Sequence, residues 1–286
     1  MNVHHRTVTV DGHQIFYREA GPADAPVLLL LHGFPTSSHM FRDLIPRLAD
    51  KYHLIAPDHL GFGSSAMPAA DEFAYSFAAL ADLTTKFTEQ LGLSAYAIYV
   101  QDYGAPIGWR MALAHPERIR AVITQNGNAY EDGIVEQVWQ NIRAYDADPS
   151  PETAAAALEA ASEDAVKWQY LHGVPDESLV SPDTWQHDLS LLSRPGAGQV
   201  QLDLMRTYLT NFAMYPQFQE YFRTSQVPLL AAWGENDEIF PPAGAKAFRR
   251  DLPDAEIHLL PTGHFALETH AAEIAALVDG FLTRVL

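Results

Sequence analysis

No cysteine occurs among the 286 residues. That absence excludes disulfides, thiolate metal sites and a cysteine nucleophile together, and leaves the redox compartment open. Basic residues are few: 18 Lys and Arg stand against 36 Asp and Glu, a formal charge of −18. Such a surface repels phosphate backbones and anionic headgroups, so neither nucleic acid nor a membrane is an expected partner. Long apolar runs are missing as well. The longest, Val27 to Leu31, falls far below the roughly 18 to 20 residues that a bilayer span needs, and reads as a buried strand. Met1 to Gly12 lacks the apolar core and small-residue cleavage site of a secretory signal, so a cytoplasmic location is the expectation. The 13 histidines form no H-E-x-x-H or comparable pair, so neither a metal nor a cofactor is expected. No G-x-S-x-G is present, although Ser37, Ser38, Ser64 and Ser65 lie near glycines. Gly61 to Ala66 formally matches a dinucleotide fingerprint, but Pro68 and the lack of an immediate helix argue against one.

What is present suits one globular enzyme. Apolar residues make up 48% and charged residues 19%, enough for a sizeable core. Residues 7–10 and 14–18 flank Asp11-Gly12, a tight-hairpin dipeptide, so the chain opens antiparallel. Short apolar strands at 27–32, 53–57, 95–101, 121–125, 228–233 and 256–260 then alternate with amphipathic stretches at 38–49, 74–92, 105–115, 242–251 and 269–285. That rhythm predicts an α/β fold with a mostly parallel central sheet flanked by helices. From 127 to 225 the rhythm fails: no strand pattern appears, helices are predicted at 152–164 and 199–212, and prolines recur. The expected organisation is a core of residues 1–126 and 226–286 with an inserted helical cap at 127–225.

The chemistry-bearing residues sit where predicted strands end. Tyr96 to Val100 runs into Gln101-Asp102-Tyr103-Gly104 and then into a helical pattern, a sharp strand-to-helix turn with Asp102 at its apex. The helix N-terminus there favours an anion and would help keep Asp102 ionised. His32-Gly33-Phe34-Pro35 follows an earlier strand and allows close backbone approach. Trp233-Gly234-Glu235-Asn236-Asp237 leaves another strand, and Gly263-His264 leaves the last. Nucleophile, acid and histidine thus follow in the chain order of the α/β-hydrolase fold, with the main-chain amides of Phe34 and Tyr103 as oxyanion donors.

On these motifs, with the Asp58 to Ser65 turn, the chain resembles the epoxide hydrolase and haloalkane dehalogenase branch of the α/β-hydrolases, over nearly its whole length. The resemblance implies that Asp102 attacks carbon to give an alkyl-enzyme ester and that His264 activates the water that hydrolyses it. Asp237 would orient the histidine; Glu235 and Glu238 read as solvated loop charges, and Asn126 stands where some dehalogenases place the acid. A carboxylate needs no base to become a nucleophile, whereas its ester needs an activated water.

The leaving atom separates the two subfamilies. Tyr208, 29 residues before Asp237, lies near the position of a ring-opening tyrosine, with Tyr215 as its alternative, while Tyr145 could substitute for the family's other tyrosine. Ile142 stands at the position of the other family tyrosine. Trp139 and Arg143 are further candidate lining groups, Arg143 reading more readily as a surface ion pair than as an anion or halide binder. Tyr103 and Phe34 replace a halide-binding tryptophan and asparagine of the dehalogenases. Epoxide opening to a diol therefore ranks first and carbon–halogen hydrolysis second. A noncatalytic small-molecule-binding protein of this fold is the alternative of another class. The expected partners are a small apolar organic substrate and water, with the chain a monomer or homodimer.

Overall fold

The computed structural model describes residues 2–286. Eight strands form one sheet: β1 (His4–Val10), β2 (His13–Ala20), β3 (Val27–Leu31), β4 (His53–Pro57), β5 (Tyr96–Gln101), β6 (Ile119–Gln125), β7 (Leu229–Gly234) and β8 (Glu256–Leu260). Their spatial order is β1-β2-β4-β3-β5-β6-β7-β8. The hairpin β1–β2 is antiparallel and joins β4 antiparallel. From β4 to β8 every pairing is parallel. Asp11 and Gly12 both have positive φ, which suits the hairpin's right-handed twist.

The ten α-helices are α1 (Ile45–Leu48), α2 (Phe77–Gln90), α3 (Gly104–Ala114), α4 (Glu136–Ala147), α5 (Pro151–Leu158), α6 (Glu163–Leu171), α7 (Pro182–Leu192), α8 (Ala197–Ser225), α9 (Pro242–Ala247) and α10 (Ala266–Val285). Ser76 caps α2 by accepting the Ala79 N–H, and Ser150 and Thr153 form a capping box on α5. Five helices, α4 to α8, fill the chain between β6 and β7. The cavity described below lies between this insertion and the sheet.

The central strands are buried on both faces, which explains their unbroken apolar runs. Alternation along them feeds two cores. Leu29 and Leu31 of β3 join Ile98 and Val100 of β5 on one face. Leu28 and Leu30 join Ala97 and Tyr99 on the other. Truncating one such leucine to alanine costs about 2–5 kcal/mol.

Strand order reverses at β3, whose chain continues to β4 on one side and whose other neighbour is β5. In open α/β sheets a crevice forms at such a point, beyond the strand ends. The loops leaving β3 and β5 carry Phe34 and Asp102.

Candidate active site

Asp102 sits between β5 and α3 with φ +47°, a left-handed backbone that costs a non-glycine residue about 1–2 kcal/mol. Packing holds it there. A Cβ on Gly104 would strike the Leu31 carbonyl, and one on Gly108 would meet Val100, so α3 approaches β3 and β5 closely only because both are glycine. The Asp102 carboxylate is divided between two surroundings. Oδ1 accepts the Phe34 N–H at 2.7 Å, and the nearby Tyr103 N–H also favours the charged carboxylate. Oδ2 lies 3.9 Å from His264 Nε2. Burial raises the carboxyl above its ordinary value, against the lowering pull of His264 and the two amides. This corrects the expectation drawn from the helix end, because desolvation outweighs the amides that meet the charge.

The Phe34 loop is itself held. His32 Nδ1 bonds the Gly33 carbonyl at 2.9 Å, and its Nε2 accepts the His59 N–H at 3.0 Å. The four serines weighed from the sequence are bound up in this region. Ser37 caps a short helical turn, the Ser38 and Ser64 amides bond Asp58, and Ser65 Oγ donates to the Asp58 carbonyl.

His264 follows β8 and Asp237 follows β7. Their Nδ1 and Oδ2 atoms are 2.7 Å apart. Asp237 Oδ2 also accepts from Asn126 Nδ2 at 2.7 Å, and Oδ1 accepts the Ile239 N–H at 2.7 Å. Asn126 links two strand ends as well, accepting the Gly234 N–H at 2.9 Å and donating back to the Gly234 carbonyl at 3.3 Å. Three hydrogen bonds therefore fix the acid. With Asp237 as acceptor, the imidazole proton belongs on Nδ1 and the Nε2 lone pair faces Asp102. Gln101 Nε2 stands 2.9 Å from that nitrogen, while Gln101 Oε1 is buried without a partner. Burial alone would depress His264, but the charge and hydrogen bond of Asp237, aided by Asp102, raise it.

A cavity of about 180 Å³ opens over Asp102. Phe34, Tyr103 and Ile239 line it from the sheet side. From the insertion come Val138, Trp139 and Ile142 of α4, Ala165, Trp168 and Gln169 of α6, Met205 of α8, and Ala160. The wall is overwhelmingly apolar.

The structure brings Asp102, His264 and Asp237 together with the Phe34 and Tyr103 amides, and Trp139 lies on the cavity wall. Tyr208 stands behind that wall, stacked on Trp139 at 4.4 Å and tilted against Tyr103 at 5.5 Å. Burial and the neighbouring charges of Tyr215 and Asp102 raise its hydroxyl well above the ordinary value. Tyr215, one further layer back, accepts from Asn128 Nδ2 at 3.2 Å and bonds Tyr208. Two expectations need correcting. Arg143 is outside the cavity, ion-paired with Glu136 at 2.8 Å and packed over the Phe212 ring. Tyr145 is buried under the Arg206 guanidinium and is not part of the wall. Gln101 and the positioning role of Asn126 were missed from the sequence. The signal was their place: each is the last or next residue at the end of a central strand.

The family model for the alpha/beta hydrolase fold matches residues 26–271. The chain belongs to that family. This α/β-hydrolase is 43% identical over 277 residues to an uncharacterized hydrolase of Saccharomyces cerevisiae, covering 95% of this chain and 94% of that one. It is 38% identical over 117 residues to a haloalkane dehalogenase of Bradyrhizobium diazoefficiens, a match spanning 41% of this chain and 37% of that enzyme. Among solved structures it is similar to the haloalkane dehalogenase DbeA from Bradyrhizobium elkani. The TM-score is 0.84 at 23% identity over 99% of each chain, a likeness of fold. The hydrolase is thus an enzyme with haloalkane dehalogenase-like relatives. No helix among its described residues is long and apolar enough to cross a membrane.

Proposed function

We propose that this hydrolase cleaves small apolar electrophiles in two steps through an ester on Asp102. One observation carries the reading: Asp102 lines the cavity with Oδ1 held by the Phe34 N–H at 2.7 Å and Oδ2 3.9 Å from His264 Nε2. In the first step Oδ2 bonds a substrate carbon and the bond from that carbon to the leaving atom breaks. Oδ1 becomes the ester carbonyl oxygen, already in place against the Phe34 and Tyr103 N–H groups. In the second step a water displaces the Gln101 amide at Nε2, gives that nitrogen a proton and attacks the carboxyl carbon. The amides stabilise the oxyanion, a contribution typically of about 10²–10³-fold per donor. Collapse releases the product as an alcohol, which takes the proton from Nε2, and the carboxyl left behind loses its own proton to solvent, or to the phenolate left by ring opening, to restore the carboxylate. Asp237 stabilises the imidazolium in between.

Epoxides are the substrate class we favour. Ring opening creates an alkoxide that needs a proton, which Tyr208, a phenol at neutral pH one ring behind the wall against Trp139 and Tyr103, supplies when those rings part to admit it. A cavity of 180 Å³ suits a substrate built on about one aromatic ring, since a ~150 Å³ apolar cavity takes up benzene. Haloalkane hydrolysis is the second reading. It is favoured by the buried, unpartnered Trp139 Nε1 behind the same wall, a weak donor of the kind a halide needs, and by the dehalogenase relatives. Incubating wild type and Asp102→Asn with styrene oxide and short bromoalkanes, with diol and bromide both quantified, tests both. Diol release lost in Asp102→Asn and lowered in Tyr208→Phe supports the first reading. Bromide release insensitive to Tyr208→Phe but lost in Trp139→Phe supports the second, and product release undiminished in Asp102→Asn overturns the ester.

A further inference from the structure

Four large apolar side chains are exposed among the described residues: Val138, Trp168, Leu179 and Leu286. Two of them, Val138 and Trp168, line the cavity whose floor is the 6% exposed Asp102. The passage from solvent to Asp102 therefore opens between α4 and α6, with Trp168, 41% exposed, at its rim. With the exposed Val138 of α4, its indole gives the cavity an apolar rim. Here it is also held. The Trp168 ring stacks on His172 one turn later, centroids 4.6 Å apart and planes 21° from parallel. His172 Nε2 stands 3.1 Å from Glu238 Oε1.

Glu238 directly follows the acid Asp237, so the stack at the mouth is anchored on a loop of the catalytic site. The anchor is reinforced. Asn236 Nδ2 donates to the Gly173 carbonyl at 2.8 Å, and Gly263, preceding His264, fits so closely under the His172 carbonyl that a Cβ there would collide with it. The end of α6 thus rests on the two loops that carry Asp237 and His264. Trp168 cannot swing aside without breaking its stack on a residue fixed from below.

We propose that Trp168 is the gate that sets the size limit for substrate, and that His172 and Glu238 hold it over the mouth. The proposal rests on the cavity above Asp102 being the substrate site. Trp168 then acts on passage, and its effect falls mainly on KM and on association.

The test compares wild type, Trp168→Ala, Trp168→Phe and Glu238→Gln on 1,2-epoxypropane and styrene oxide. In Trp168→Ala the ratio of kcat/KM for styrene oxide over epoxypropane is expected to rise about tenfold, chiefly through KM. Glu238→Gln raises it about twofold, in keeping with a contact whose carboxylate is largely exposed. Trp168→Phe, which keeps a ring to stack on His172, stays near wild type. The second measurement needs no turnover: stopped-flow association of phenyl-1,2-ethanediol in an Asp102→Asn background, followed by tryptophan fluorescence. Association faster in Trp168→Ala supports the gate. Association no faster overturns it, whatever turnover does. Faster association in a protein that converts neither epoxide overturns the epoxide reading alone.

Discussion

Gly33 offers a quantitative test of how tightly the Asp102 carboxylate is held. Its φ is not in the left-handed region, so alanine can adopt the same backbone and only space is at issue. A methyl at this position would lie 2.5 Å from Gln101 Oε1 and 2.6 Å from Asp102 Oδ1, where ordinary contact begins near 3.4 Å. The nearest atom is Asp102 Cβ at 2.4 Å, so full relief requires a shift of about 1 Å. Neither neighbour can give way freely, because Phe34 N–H grips Oδ1 at 2.7 Å and the Gln101 amide sits 2.9 Å from His264. Misplacing a reacting group by about 1 Å costs roughly 10²-fold in rate, and an oxyanion donor lost along with it costs about as much. Gly33→Ala is therefore expected to lower kcat/KM about 10²-fold, or about 2.7 kcal/mol of transition-state stabilisation, with a smaller loss of Tm. Gly12→Ala is the control. It forces an alanine to φ +83° with nothing within 4 Å, so it strains the hairpin without touching the site. The assay is kcat/KM on a verified epoxide, corrected for folded fraction by thermal melting. Activity in Gly33→Ala within threefold of wild type, at unchanged Tm, would refute the claim that the amide pair and carboxylate form a rigid unit.

Other outcomes follow from the same geometry. His264→Gln lacks the base for the second step, so substrate mass should accumulate on the peptide containing Asp102; no adduct with a proven substrate counts against the ester. In a single turnover in heavy-oxygen water, label should enter the Asp102 carboxylate and be absent from the first diol released. Hydrolysis of the ester needs neutral His264, and Asp237 raises that imidazole above 6.5, so the rate climbs with pH through a midpoint above 6.5. In Asp237→Asn the midpoint moves down, and an unmoved one in pre-steady-state kinetics refutes the assignment. Asp188, buried and bonded by the Tyr170 hydroxyl, has its carboxyl pushed up to about 8 by burial. It ionises near 3.8 when unfolded, so folding binds a proton between those values and stability falls as pH rises from about 4 to 8. Asp188→Asn, which still accepts from Tyr170, should raise Tm more at pH 8 than at pH 5; equal gains at both would contradict the shift.

Much of the core was legible because its signals are local. Five consecutive apolar residues at 27–31 have only a doubly buried strand to form, and the Asp11-Gly12 turn fixes the first hairpin. The grouping of Asp102, Asp237 and His264 was legible for a related reason, since each residue follows a strand. The insertion was harder. Helices α4 and α7 are amphipathic but were not predicted, because their mean hydropathy is low and Pro149, Pro151 and Pro182 beside them read as loop. The predicted helix 152–164 divides at a turn into α5 and α6 because Ser162 caps a new start. The predicted helix 199–212 runs on to Ser225 with Pro216 inside it, since packing of Tyr215, Phe218 and Phe222 compensates one lost hydrogen bond. Along 38–49 the amphipathic pattern hid a break, a 3₁₀ turn at Ser38–Phe41 followed by α1 with Pro46 in its first turn. Arg143 and Tyr145 misled because sequence spacing along α4 says which residues share a face, not which face meets the cavity.

The unusual backbone of Asp102 has a consequence for how this molecule could be made more robust. A carboxyl deprived of water and a twist that L-residues avoid are both concentrated on one position. Asparagine tolerates that twist better and carries no charge to bury. Selection for heat resistance alone, with no demand for turnover, would therefore drift toward an inert protein with an amide at the elbow. Melting higher and working less would be two results of one exchange.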